Sequence, residues 1–272
     1  MTKDHPGADG DPAPAAGRVN ERVKTPERNR VTPMGDIVAI PLRGAWTGNR
    51  GILHSGREIV RFHASDLWIT CALEFRGRYH PDQWLPRHYT FLYFHDEAVS
   101  FAAGHRPCAE CRHAAYRAYQ DGWSKELGVP VPSAREMNRQ LHAERLVRGT
   151  RRRRTHEMPW ADLPDGAFVS VDGAAAVVVG GRLTQWTHAG YGPSRPQPGR
   201  GTAEVITPPS TVAVLRAGYP VQIDDSARRG AASLAPVRRA DLTALGAPHA
   251  WRPVRRPARR PARLELSRAS GR

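Results

Sequence analysis

Three cysteines are the residues of this chain whose type and spacing point to a specific chemistry. Cys108 and Cys111 are separated by two residues, and Cys71 lies upstream. Structural zinc takes four ligands in a tetrahedron, mostly thiolates with some imidazoles, and a Cys-x2-Cys turn supplies two of them, with backbone N–H groups directed at the sulfurs. The spacing therefore predicts a zinc site with all three cysteines as ligands.

The fourth zinc ligand has to be another kind of residue, because the chain has only three cysteines. Five histidines are candidates: His63, His80, His88, His105 and His113. We favour His63, since His-x7-Cys can present both side chains from one strand and the turn after it. Free cysteines also pack in cores as small apolar side chains, which is the metal-free alternative. An odd cysteine count without a signal peptide argues against a disulfide framework.

The residues around the cysteine pair resemble the metal-binding domain of the Ada DNA-alkylation-repair protein. The apolar run Tyr89-Thr-Phe-Leu-Tyr-Phe94 is followed by Asp96-Glu-Ala98 and then by Ala102-Ala-Gly-His-Arg-Pro-Cys108. In that family a strand leads into a short helix and then into Ala-Ala-Gly, an aromatic residue, Arg-Pro and the cysteine pair. The resemblance covers about residues 66 to 113, and it implies a zinc site and a link to DNA repair in a bacterial-type protein.

The chain departs from the Ada pattern upstream of the pair. The family carries two cysteines there, one of which takes a methyl group from a DNA phosphotriester, whereas this chain has only Cys71. Four thiolates leave a zinc site about two units negative, and three thiolates with one imidazole leave it about one unit negative and less nucleophilic. We therefore interpret the site as structural, with methyl acceptance by Cys71 as an alternative.

The charge of the chain indicates a polyanionic partner. Forty-one Lys and Arg against 26 Asp and Glu give a net charge of +15 and a pI near 10.8. Nearly all the basic residues are Arg, which is typical of a GC-rich genome, but codon bias does not explain the excess over acidic residues. From Arg228 onward twelve Arg face two acidic residues, so much of the charge lies in the last sixth of the chain. The composition predicts binding to DNA or RNA.

Two groups of arginines are the candidate nucleic-acid contacts. The first lies at the start of the helix predicted after the cysteine pair, where the helix N-terminus adds positive potential. The second is an uninterrupted run of four arginines, too charged to be core. The candidates are Arg106, Arg112, Arg117, Arg151, Arg152, Arg153 and Arg154.

A nucleic-acid-processing enzyme of the hydrolase type is the alternative function. His142, Glu144 and His156 form the one compact set of acid–base side chains outside the cysteine module. A proton-accepting His, a Glu that orients it and nearby Arg would suffice for phosphodiester hydrolysis or a base-modifying reaction. His142 and Glu144, however, are two apart on a predicted helix and point in different directions.

The elements that position these residues predict an α+β fold with a zinc-stapled module followed by a small, mostly β domain. Strands are expected over 36–42, 57–62, 66–75 and 89–94, and helices over 96–104 and 108–127 and from Ser133, where Glu136 completes a capping box. Shorter strands over 163–171, 174–179, 182–186 and 203–206 and a helix over 211–217 make the β domain. The predicted division is a disordered 1–33, an Ada-like module 34–130, a helix and Arg-rich linker 131–160, the β domain 161–227 and a disordered basic tail 228–272.

The distribution of apolar residues along the chain also predicts the cellular compartment. The N-terminal residues contain no apolar stretch of signal-peptide length, and nowhere do 18 apolar residues follow one another. We expect a cytoplasmic protein.

Overall fold

The computed structural model describes residues 25–77 and 84–232, which form two six-stranded sheets, a two-stranded ribbon and five α-helices. The predictions made for 1–24, for His80 and for 233–272 lie outside the described residues. The strands are β1 (Arg28–Val31), β2 (Ile37–Ala39), β3 (Trp46–Asn49), β4 (His54–Ser55), β5 (Glu58–Ile59), β6 (Ile69–Cys71), β7 (Leu92–Phe94), β8 (Arg106–Pro107), β9 (His156–Pro159), β10 (Phe168–Val171), β11 (Ala174–Val179), β12 (Arg182–Thr187), β13 (Gly190–Pro196) and β14 (Thr202–Val205). The helices are α1 (Glu97–Ala102), α2 (His113–Leu127), α3 (Ala134–Arg145), α4 (Pro209–Arg216) and α5 (Asp225–Ala232), with a short 3-10 helix at Trp160–Asp162.

The first sheet carries the cysteine-bearing segments. Its strand order is β2-β1-β7-β3-β6-β8, and β4 and β5 form a separate two-stranded ribbon. The pairs β1/β7 and β6/β8 are parallel, and the other pairs are antiparallel. In the β6/β8 pair, Thr70 lies opposite Pro107, so the residues that follow these two strands, Cys71 and Cys108, are brought side by side.

The second sheet is wholly antiparallel, in the order β13-β12-β11-β10-β14-β9, and apolar residues cover both of its faces. Side chains alternate along a strand. In β11, Val178 belongs to the core cluster beneath α2, α3 and α4, and Val177 and Val179 belong to the cluster with α1 and α5. Since Tyr119 and Trp123 of α2 lie in the same cluster as Val178, the two modules predicted from the sequence share a hydrophobic core.

Several helix ends agree with the sequence signals. The Asp96 side chain accepts the Val99 amide at 2.8 Å and caps α1, and Ser133 with Glu136 forms the predicted capping box of α3. Helix α2 begins at His113 rather than at Cys108, because Cys108–Arg112 form the turn that holds the cysteine pair. Gly128, in the left-handed conformation at φ 63°, ends it.

Several segments differ from the prediction. Strand β1 lies within the predicted disordered 1–33, β9 and β13 form where no strand was predicted, and α5 includes the first residues of the predicted tail. Strand β3 was not predicted either. Its Gly48 permits close strand pairing, since a Cβ there would lie 2.1 Å from the Ile69 carbonyl oxygen. No helix within the described ranges is both long and apolar enough to span a membrane.

Candidate metal centre and basic cavity

Cys71, Cys108 and Cys111 converge as the sequence predicted. Their Sγ atoms all lie within 4.8 Å of one another. Cys71 ends β6, and Cys108 follows β8 directly and donates its amide to the Thr70 carbonyl at 2.9 Å. Parallel pairing of two short strands therefore adds the distant Cys71 to the local cysteine turn.

The surroundings of the sulfurs favour the thiolate form at Cys108. Hydrogen bonds from the other two cysteines, together with the backbone N–H groups of Glu110 and Cys111, lower the pKa of Cys108 to about 2. The hydrogen bonds with Cys108 raise the pKa of Cys71 and of Cys111, because a thiolate at Cys108 disfavours a second negative charge on a neighbouring sulfur. Ala72 directs its backbone N–H at Cys111. This is the arrangement of amides expected around a cysteine metal turn.

The three sulfurs fit zinc in donor type and spacing. A Zn–S distance of about 2.3 Å and tetrahedral angles require sulfurs about 3.8 Å apart, which their mutual separation accommodates. In the described part of the chain, the group contains three ligand atoms and no fourth from His, Asp or Glu. Glu110, Thr47 and Asn49 line a hollow of about 220 Å³ beside the cysteines.

The structure does not bring the favoured fourth ligand, His63, to this site. The His63 ring lies 5.1 Å from that of His142 and 5.8 Å from that of Trp68. Of the other candidates, His105 is buried against Phe94 and accepts a hydrogen bond from Arg50 Nε at 3.2 Å. The remaining described candidates are both exposed, one beside Pro86 and one at the first turn of α2: His88 and His113.

Two of the predicted nucleic-acid contacts are structural instead. Arg112 is buried and donates to Glu97 Oε1 at 2.5 Å, with its guanidinium 3.9 Å from the centre of the Trp46 ring. Arg106 is 2% exposed and donates to Asn138 Oδ1 at 2.8 Å. Both guanidinium groups hold the cysteine turn to its neighbours and are not available to a nucleic acid. Arg117 is exposed.

The four-arginine run also divides between surface and interior. Arg151, Arg152 and Arg154 are exposed, as predicted. Arg153 instead turns inward and donates to backbone carbonyls at the end of α1 and after β14, those of Ala102, Ala103 and Ile206. Burial lowers its pKa to about 10. Three members of the run therefore remain as candidate phosphate contacts.

Two of these exposed arginines, Arg151 and Arg154, border a basic cavity of about 720 Å³. It lies between the end of α3 and a hairpin closed by the bridge between Leu146 and Arg153. Its lining has no Asp or Glu, and its ionisable members are His63, His142, Arg139, Arg148, Arg151 and Arg154. Ala143, Leu146 and Val147 supply apolar surface. The arrangement can hold an anion.

The two histidines of the cavity are held neutral. Burial, then the charge of Arg145, lowers the pKa of both His63 and His142. Arg145 Nη2 lies 3.0 Å from His142 Nδ1, and a guanidinium only donates hydrogen bonds, so Nδ1 is the acceptor. The proton of neutral His142 is therefore on Nε2.

The proposed catalytic set is not assembled. The Glu144 carboxylate accepts the Ser210 amide at 3.1 Å, and also its hydroxyl, at the start of α4. His156 is half-buried on β9, and burial lowers its pKa. In the described part of the chain, no hydrogen bond joins any two of His142, Glu144 and His156. The Glu144 carboxylate therefore binds the start of α4 and does not orient His142.

Sequence reasoning missed His63 as the partner of His142, as well as Arg139 and Arg148. Arg139 and His142 are three apart on α3, a spacing that places them on one helix face and could have been noticed. No residue near His63 in the sequence indicates that its ring contacts His142.

Comparison of the chain with protein-family models, with curated proteins and with solved structures finds no match in any of the three.

Proposed function

We propose that this chain binds nucleic acid through the basic cavity and that zinc at the three cysteines stabilises the fold. The observation that carries the proposal is the lining of the cavity: four arginines and two histidines with no carboxylate. An arrangement of like charges around one concavity is unfavourable unless an anion occupies it. Phosphate is the anion that arginine recognises best, through its planar, forked set of donors.

The charge of the whole chain supports the same partner. A net charge of +15 attracts a polyanion over distances of about a Debye length and raises the rate of encounter. Phosphate contacts dominate such affinities and make them depend on salt. The resemblance of residues 66–113 to the Ada metal-binding domain supports DNA as the partner and a link to repair.

Zinc has a structural role in this proposal. Cys71, Cys108 and Cys111 would hold it, and the ion would supply a cross-link between the end of β6 and the turn that precedes α2. Because a metal that binds only the folded chain adds its binding free energy to folding, loss of the ion should destabilise the protein.

The test is fluorescence anisotropy of the full chain with a labelled oligonucleotide across a salt series. Replacing two cavity arginines, Arg148→Ala with Arg151→Ala, should weaken binding and reduce the slope of log affinity against log salt by about two. The matched control, Arg135→Ala with Arg200→Ala, removes two exposed charges outside the cavity and should bind almost as the parent does. Equal losses in both pairs would overturn the proposal, because binding would then follow net charge alone.

The hydrolase alternative stays a prediction without support from the contacts of Glu144 and His156. Methyl acceptance by Cys71 also stays a prediction. Mass spectrometry after incubation with methylated DNA decides it: an unmodified Cys71 peptide rejects the idea.

A further inference from the structure

We propose that the basic cavity receives a single nucleotide unit of unpaired nucleic acid, with its phosphate among the arginines and its base against His63 and His142. This inference rests on the proposed function and names its substrate class. It predicts that single strands and free nucleotides bind better than duplex of the same sequence.

The shape of the cavity supports a unit of this size. At about 720 Å³ it falls within the range of about 300–1,000 Å³ typical of small-ligand sites. Proteins that read a duplex insert a convex helix or ribbon into a groove, whereas a concave site takes a nucleotide that has left the stack. A base in an intact duplex cannot reach into such a site.

The arginines provide the phosphate end. Arg148 and Arg151 belong to the hairpin that forms one wall, in which Val147 donates to the Arg152 carbonyl at 2.9 Å. Arg154 is oriented by its Nε, which donates to the Leu146 carbonyl at 3.0 Å. The hydrogen-bonded backbone of the hairpin therefore positions these arginines at the cavity before a ligand binds. Binding then costs less conformational entropy, because the loop is already ordered.

The histidines provide the base end. Their rings are neutral and meet edge to face at 5.1 Å, and unpaired bases stack on aromatic rings of this kind. Arg145 holds Nδ1 of His142, which leaves the Nε2–H group as a donor for a base or sugar oxygen or ring nitrogen. Leu146 and Val147 add the apolar contact that a base requires. Inorganic phosphate would use none of these groups.

A competition experiment on the full chain tests the inference. A labelled single strand is displaced with adenosine 5′-monophosphate, inorganic phosphate or adenosine, and a duplex of the same sequence is titrated separately. We expect the nucleotide to compete at concentrations at least tenfold below those of phosphate and of adenosine, and the single strand to bind at least tenfold more tightly than the duplex. Phosphate as effective as the nucleotide, or a duplex bound equally well, overturns the inference and leaves the proposed function standing. Absence of binding to either strand form overturns both.

A variant of His142 separates base recognition from folding. His142→Asn keeps an acceptor near Arg145 but lacks the Nε2–H group, so nucleotide competition should weaken about tenfold while phosphate competition stays unchanged. The matched control, His88→Asn at an exposed position outside the cavity, should leave both unchanged. Thermal unfolding of both variants shows whether they fold. An unaltered preference for nucleotide over phosphate in a folded His142→Asn protein contradicts the role given to this ring.

Discussion

The Arg145 guanidinium lies over the Trp68 ring, 3.8 Å from its centre. The Arg50 guanidinium lies over the same ring at 4.0 Å, and because two groups so close to the centre cannot share one face, they lie on opposite faces. Trp68 is completely buried, and Arg145 also holds His142. A single indole therefore compensates two buried cations and supports the wall of the cavity.

Replacing this indole should be strongly destabilising. Trp68→Leu removes the ring face from Arg50 and Arg145 and leaves a cavity, and we expect a loss of about 4 kcal/mol in the free energy of unfolding, measured in urea. Trp68→Phe keeps a ring face and should lose less. A Leu variant within about 1 kcal/mol of the parent would show that the cations are compensated by their backbone carbonyl contacts alone.

Removing a cysteine should release the metal. Cys108→Ser or Cys111→Ser replaces a thiolate by a poor zinc ligand, so the purified protein should contain less than the one zinc per chain expected of the parent and melt at a lower temperature. His63→Ala is the control: with its ring in the cavity, it should retain full zinc content while binding nucleic acid more weakly. Full zinc retention and unchanged melting in both cysteine variants would refute the metal site.

The ion pair behind the cysteine turn should matter more than one at the surface. Glu97 is 1% exposed and also accepts the Tyr219 hydroxyl at 2.8 Å and the Gln222 amide at 3.0 Å. Glu97→Gln leaves Arg112 as an uncompensated buried charge, and unfolding free energy should fall by about 3 kcal/mol or more.

The comparison variant for this pair is Glu126→Gln. Glu126 lies 3.1 Å from Arg216, and the two side chains are 28% and 45% exposed, so its loss should cost less than about 1 kcal/mol. Chemical denaturation of the two variants in the same buffer gives both values, and similar losses would contradict the structural role of Glu97.

Buried His105 should make stability fall in mild acid. Burial first, then the charges of Arg50 and Arg145, hold its pKa well below the ordinary 6.5, so the unfolded chain binds a proton there before the folded chain does. Stability from this group is present above pH 6.5 and is lost as pH falls through and below that value. Between pH 7.5 and 5.5 the parent should lose about 1 kcal/mol more than His105→Gln. Urea unfolding at both pH values measures the difference, and parallel losses would exclude His105 as its source.

Local signals were enough for the elements that short stretches of chain determine. The Asp96 cap and the Ser133 capping box follow from side chains that contact their own backbone, and four of the six strands of the second sheet, β10, β11, β12 and β14, follow from short apolar runs between turn residues. The Cys-x2-Cys spacing likewise identified two sulfurs of the candidate metal centre, since both belong to one turn.

The tertiary structure alone decided which distant residues meet. Strand pairing brings Cys71 to the cysteine turn, and the packing of Trp68 brings His63 to His142. The residues that neighbour these side chains in the sequence do not indicate either contact. The sequence also does not distinguish an arginine that faces solvent from one that turns inward. Arg153 turns inward and is half-buried among exposed arginines because the carbonyls at the end of α1 lie within its reach, and only the fold places them there.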